Sequence, residues 1–214
     1  LYSQRALAAQ MRSVVGKDEF VDAAGHTSER DATLGTERLR TLLLVVMRNA
    51  STNSPWPISN NPRAKFNQPS PSGSNLDLPL WQLVRASAAA PVFFPPETIR
   101  IGDHEFVFVD GGITVYHNPS FLLFLMATMA QYGVGWPLGE QRLQLVSVGT
   151  GLVELADLHL KADDMNLVYN LQSLPAALIH GGTVEQDLLC RVFGKLRAGD
   201  EIDAELGDLT RAGL

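Results

Sequence analysis

The chain has 214 residues, 45% of them hydrophobic and 19% charged, with 17 basic against 23 acidic side chains and a formal net charge of −6. That is one domain's worth of chain with material for a real core. The basic residues nowhere gather into a cluster, which excludes a nucleic-acid surface and an electrostatic membrane anchor, since both need positive charge in one place. The lone cysteine, Cys190, cannot close an internal disulfide and excludes a multi-cysteine zinc site.

The chain opens LYSQRAL, without an initiator methionine or a charged-then-apolar leader, and reads as the interior of something longer. The compartment is left open, with the cytoplasm favoured. Leu7, Met11 and Val14 recur at helical spacing, which predicts a short amphipathic helix over Tyr2 to Val14 that stops at Gly16. Asp18 to Arg38 is polar and irregular, punctuated by Gly25 and Gly35. LRTLLLVVM, Leu39 to Met47, is apolar on both faces and too short for a typical helix, so it reads as a central strand of a buried, parallel sheet.

Arg48 to Leu78 contains Pro55, Pro57, Pro62, Pro69 and Pro71 among many Asn and Ser, which rules out a continuous helix or a central strand. Trp56 and Phe66 point to a packed loop. Trp56, Asn60 and Asn61 are candidates to line a ligand pocket, against the plainer reading of a turn-rich loop pinned by Trp56. PLWQLVRASAAA, Pro79 to Ala90, predicts a helix with a small-residue face able to approach a sheet closely. Within it Ser87 reads as a packing residue. PVFFPP then stops the helix.

A hairpin-like turn at Ile101 to Asp103 leads into EFVFVD, Glu105 to Asp110, a second strand ended by Gly111 and Gly112. NPS at 118–120 starts a helix to about Tyr132, with Asn118 or Pro119 at its beginning. Its run Phe121 to Ala130 is far short of the about 20 apolar residues a bilayer-spanning helix needs. Phe121 to Met129 is open to two readings, an exposed apolar contact surface or a helix buried under the sheet. RLQLVSVGTG, Arg142 to Gly151, reads as a third strand, and Asp163 to Leu214 as mostly helical. Strands and helices alternating with glycine exits imply an α/β architecture.

FVFVDGG is the constellation with the most chemistry in it. An apolar strand delivers Asp110 to its carboxyl end, where open α/β sheets place ligand sites. Gly111 and Gly112 let the chain turn tightly and let another group approach. An Asp there can serve as a general base, a metal ligand or a cap for the next helix; the plainer reading is an Asp that closes a turn. Elsewhere the signals are thinner. Ser147 has Gly149 two residues on, but Leu145 stands where a nucleophile elbow needs a small residue. Asp157, Asp163 and His180 follow it in the order of a hydrolase triad; Ser147 nonetheless reads as an ordinary strand residue. His26, His104, His117, His159 and His180 lack metal-ligand spacing. His117, seven residues past Asp110, could edge a site and is read as structural. Gly149 and Gly151 lack the third glycine or following lysine of a phosphate-cradling loop. Cys190 has only Arg191 beside it and reads as a partly buried helix residue.

RLRTLLLVVMRNASTNSPWPISNNP, LPLWQLVRASAAAPVFFPP, FVDGGITVYHNPS and LVSVGTG, in this order and spacing, resemble the patatin-like phospholipase family over nearly all of residues 1 to 160. The tail from LIHGGTVEQDLLC onward is similar to the C-terminal helices of bacterial members. The resemblance implies an α/β fold whose mainly parallel sheet lies between helices, with 1–160 as the α/β domain and 161–214 as its helical extension. It implies a Ser–Asp dyad in which a serine on a G-x-S-x-G elbow attacks a lipid ester. Asp110, matching the family's D-G-[AG], takes the serine proton, and a glycine-rich loop stabilises the oxyanion. A carboxylate is a weaker base than imidazole at neutral pH, so close, partly desolvated contact with the serine has to compensate.

No G-x-S-x-G and no glycine-rich oxyanion motif occurs in these 214 residues. The expectation is therefore a C-terminal part of a lipid acyl hydrolase. It carries the base without the nucleophile, is inactive alone, and has an open sheet edge that favours self-association. No metal or cofactor is called for. The implied partners are a lipid or acyl-ester substrate, with peripheral contact to a membrane, and no nucleic acid. The competing expectation is a non-catalytic module of the same family that binds lipid or protein, its nucleophile lost. A third is a small-molecule site at Gly149 to Gly151.

Overall fold

The computed structural model describes residues 4–71, 73–149, 161–162 and 165–197, apart from the side chains of 171 and 172. The chain divides into two compact units, Leu1–Gly112 with Met129–Gly135, and Ile113–Thr128 with Trp136–Leu214.

In the first unit, helix α1 spans Gln4–Val15 and stops where predicted, at Gly16, whose φ of +81° favours a residue without a side chain. Two antiparallel strands follow, β1 (Lys17–Val21) and β2 (Thr27–Asp31). The sequence reading had this stretch as irregular. Almost every position of the hairpin is exposed, so no apolar alternation marks it. Its turn is built by Asp22, whose carboxylate accepts from the amides of Ala24 and His26, at 2.9 and 2.8 Å. Those bonds, that to the His26 amide foremost, hold the Asp22 carboxyl below its usual range.

The main sheet has the order β4-β3-β6-β5, with β3 Leu44–Asn49, β4 Ser54–Ser59, β5 Glu97–Ile101 and β6 His104–Asp110. β3 is central, as its apolar run suggests. The direction of its neighbours is not as expected: every pairing among the described residues is antiparallel. Apolar residues on both faces report that a strand has neighbours and cover. They carry no information about strand direction: short turns at 50–53 and 102–103 make the β3–β4 and β5–β6 pairs antiparallel, and β6, which follows β3 only after the intervening helix and strands, pairs with it antiparallel as well. Pro55 and Pro57 lie in β4, an edge strand, where a missing N–H costs no internal ladder bond. The prolines exclude a central strand here, but not a strand.

Helix α2, Leu80–Ser87, begins after Pro79 and packs on this sheet through Leu83 and Ala86, both fully buried. With Leu34, Val45, Met47, Ile58, Ile99 and Phe108 they make one core. Trp56 of β4 packs on Phe106 and Phe108 of β6, with ring centroids 5.4 and 5.2 Å apart, and thereby pins the 54–59 segment. Phe66, by contrast, is 70% exposed, under Lys65.

In the second unit, α3 spans Ser120–Thr128 and ends before the predicted Tyr132. Asn118 starts it, accepting from the Ser120 amide at 3.1 Å. Helix α4, Leu167–Phe193, begins at Asn166, whose side chain accepts from the Tyr169 amide, and packs on α3 through Phe121, Phe124 and Phe193. α3 is thus a half-buried helix on a helix. Residues 142–149 of the predicted third strand form none. A strand is a pairing, and among the described residues 142–149 have no ladder partner; Val148 is 89% exposed. Residues 198–214 lie outside the described residues.

Candidate functional site

Asp110 closes β6. Phe106 and Phe108 bury the strand against β4, and the register Met47↔Asp110 is the last β3–β6 pair. Beyond it the chain leaves the sheet as a short 3₁₀ turn, Gly111–Ile113. The turn is tight because of what it passes: a Cβ on Gly111 would stand 2.2 Å from the carbonyl oxygen of Val46 in β3. Glycine is therefore required by close approach of two backbones, and Gly111 itself is buried.

The Asp110 carboxylate is half-buried. Its Oδ1 accepts from the Gly112 amide at 2.6 Å, an Asx-type bond that fixes the carboxylate relative to its own turn. The Asp110 amide donates to the carbonyl of Ala89, two residues past the end of α2, at 3.1 Å. Hence the backbone on both sides of the side chain is held. A half-buried carboxylate with one oxygen ordered by a backbone N–H can accept a proton at the other, which is what a general base must do. It also serves as the turn-closing Asp of the plainer reading, so the geometry by itself accommodates both.

The other sequence candidates separate from this centre. Asn60 accepts from the Leu43 amide at 2.7 Å and donates to Thr41 O at 3.1 Å. Asn61 donates to Tyr132 O at 2.6 Å, and Asn67 to the carbonyls of Ser59 and Asn61, each at 2.7 Å. These amides spend their hydrogen bonds on backbone groups, Asn67 within the loop, Asn60 on 41–43 and Asn61 on Tyr132, the role expected of a pinned turn rather than a pocket lining. Ser147 is exposed and donates to Asn118 Oδ1 at 3.3 Å. Its proposed partners Asp157 and Asp163 lie outside the described residues, as do Gly151 and His159. His26, His104, His117 and His180 are exposed. Among the described residues no group of three or more His, Cys, Asp or Glu gathers at metal-binding distance.

Cys190 is half-buried in α4. Burial, with the Asp187 carboxylate nearby, pushes its thiol up to about 11, the opposite of an activated nucleophile.

Sequence reasoning missed the part played by the exit of α2. Ser87 is more than a space-filler, because its Oγ donates to Val46 O at 2.7 Å, the same carbonyl that Gly111 passes. Further on, Val92 adopts φ +75°, a strained conformation for a β-branched residue. Arg85, buried within α2, pairs with Glu97 and donates to Pro95 O at 3.4 Å, which ties the C-terminal end of the PVFFPP loop back to α2. The one legible hint was the run of small residues after Arg85.

Comparison with known proteins supplies a context for this arrangement. A family model described as patatin-like phospholipase matches residues 1–124, more than half of the 214. Patatin-15, Patatin-04/09 and Patatin-06 of Solanum tuberosum are each 33% identical to the chain over 86 residues, covering 36% of it. The match spans only 22% of the length of each of these relatives. Asp110, Gly111 and Gly112 fall inside the family match.

Proposed function

The chain belongs to the patatin-like phospholipase family, and on that premise we propose that it is the base-bearing part of a lipid acyl hydrolase, with Asp110 as general base. The observation that carries this reading is the placement of Asp110. It sits at the carboxyl end of β6, half-buried, with one carboxylate oxygen held by the Gly112 amide. In this reading residues 1–160 correspond to the patatin-like domain and 161–214 to its C-terminal extension.

The serine nucleophile lies on a G-x-S-x-G elbow outside these 214 residues, which contain no such motif. Its Oγ attacks the acyl carbonyl of a phospholipid or related lipid while Asp110 takes the hydroxyl proton. Collapse of the tetrahedral species expels the lipid alcohol, which leaves with that proton. Asp110 then accepts a proton from water as that water attacks the acyl-enzyme; collapse of the second tetrahedral species breaks the bond to serine, Asp110 returns the proton to the departing Oγ, and the free acid is released. The chemistry requires no metal or redox cofactor. The substrate is met at a lipid surface; among the described residues no helix is long and apolar enough to cross a membrane.

Fluorophosphonate labelling of the protein from its natural source, with mapping of the tagged peptide, tests the reading. A tag on a serine outside this chain, lost in Asp110→Asn, is the expected result. A tag on Ser147 would instead revive the triad order Ser147, Asp157 or Asp163, His180. No tag on folded protein would favour the non-catalytic module.

A further inference from the structure

We propose that Ser87 is a positioning residue for Asp110, acting through the backbone of β3; the proposal rests on the reading of Asp110 as the base. Ser87 is the last residue of α2, and its Oγ donates to the carbonyl oxygen of Val46 at 2.7 Å. Gly111 packs so closely on that same carbonyl that a methyl group there would stand 2.2 Å from the oxygen. Two residues beyond Ser87, Ala89 is buried and its carbonyl takes the Asp110 amide at 3.1 Å. The exit of α2 therefore holds the Asp110–Gly111 step at two points, directly through Ala89 and through the Val46 carbonyl that Ser87 fixes.

The carboxylate follows that backbone. Because the Gly112 amide holds Oδ1 at 2.6 Å, a displacement of 110–112 carries the base with it. A general base works only within about 2.6–3.2 Å of the proton it removes, and a misplacement on the order of 1 Å can cost about 100-fold in rate. Removing the Ser87 hydroxyl takes one partner from the Val46 carbonyl and releases the last turn of α2 from β3. Both changes free the surface against which Gly111 is seated.

The test compares Ser87→Ala, Ser87→Thr and a core control, Ile99→Val, in the full-length protein, well below the melting temperature of each. Ser87→Ala is expected to lower kcat about 10- to 100-fold with KM within about twofold. Ser87→Thr, which keeps the hydroxyl, recovers most of the rate, and Ile99→Val changes neither parameter. Amide exchange supplies a readout that needs no activity. In Ser87→Ala, exchange at Asp110 and Gly112 is expected to accelerate about tenfold or more while Phe106 and Phe108 stay protected.

Unchanged kcat together with unchanged exchange at 110–112 would overturn the proposal, as would acceleration spread evenly over β6. Asp110→Asn in the same series separates the two readings. If that variant keeps its rate, the base assignment falls while the exchange result still reports on Ser87. If it is dead and Ser87→Ala matches wild type, only the positioning role falls.

Discussion

The amide of Asp110 donates to the carbonyl of Ala89 at 3.1 Å, so the last residue of β6 is tied to the exit of α2. β6 ends on this bond. Its register with β3 stops at Met47↔Asp110, the backbone turns at Gly111, and the carboxylate is left at the rim of the sheet. An Asp in a loop of its own would have to lose more backbone freedom to reach the same geometry.

Asp110→Asn keeps the oxygen that accepts from Gly112 and loses the basic one. Hydrolysis of a phospholipid substrate by the full-length protein is therefore expected to fall below a tenth of the wild-type rate. Calorimetry should show a melting temperature within about 2 °C of wild type, given that a surviving hydrogen bond protects the turn. A variant that retains more than a tenth of the rate would sink the base assignment.

Gly111→Ala and Gly25→Ala distinguish two reasons for a glycine. At Gly111 the new methyl would stand 2.2 Å from Val46 O, so two backbones must part. The expected loss is about 1–3 kcal/mol or more in urea unfolding. At Gly25 nothing lies within 4 Å, and only the φ of +84° resists a side chain. There the cost is about 1–2 kcal/mol, with no effect on amide exchange at 110–112.

Arg85 and Glu97 form an ion pair whose side chains are 4% and 13% exposed, and Gln82 donates to the same carboxylate at 2.8 Å. Burial pulls the Arg85 guanidinium below its ordinary value, yet it remains the charge that Glu97 balances. Glu97→Gln leaves that charge without its counter-ion and should cost about 3–5 kcal/mol. Lys17 and Glu29 pair at 3.0 Å with more than half of each side chain in solvent. Glu29→Gln should cost less than about 1 kcal/mol. Equal midpoint shifts for the two variants would refute this ranking.

The Cys190 thiol gives a pH prediction with a definite sign. Its folded value, about 11, lies above the usual thiol range, since burial and then Asp187 oppose the thiolate. Alkylation by iodoacetamide should be slow at pH 8 and rise roughly tenfold per pH unit until about pH 11. The raised value means that the neutral thiol is the form the fold favours. Its contribution to stability is complete below the unfolded thiol's pKa, about 8.5, and is lost as pH rises toward 11. A rate that levels off near pH 9 would contradict the burial of this side chain.

What the sequence by itself determined is set by local signals. The helix stop at Gly16, the helix after Pro79, the turn at 101–103 and the apolar strand ending in Asp110-Gly111-Gly112 are each written within a dozen residues. Steric freedom, missing donors and apolar runs act at that range. The family was legible too, because its motifs keep their order along the chain.

Tertiary structure decided the rest. Whether β3 meets parallel or antiparallel neighbours depends on chain connections, and burial on both faces is compatible with either. The β1–β2 hairpin has exposed strands, so only pairing reveals it. The apolar residues 142–149 look like a strand and, among the described residues, lack the partner that would make them one. Ser87 read as filler because its one telling contact, the carbonyl of Val46, lies 41 positions away in the chain. Hydrogen bonds between distant backbones leave no periodic trace in a sequence; they exist only once the core has brought α2, β3 and β6 together.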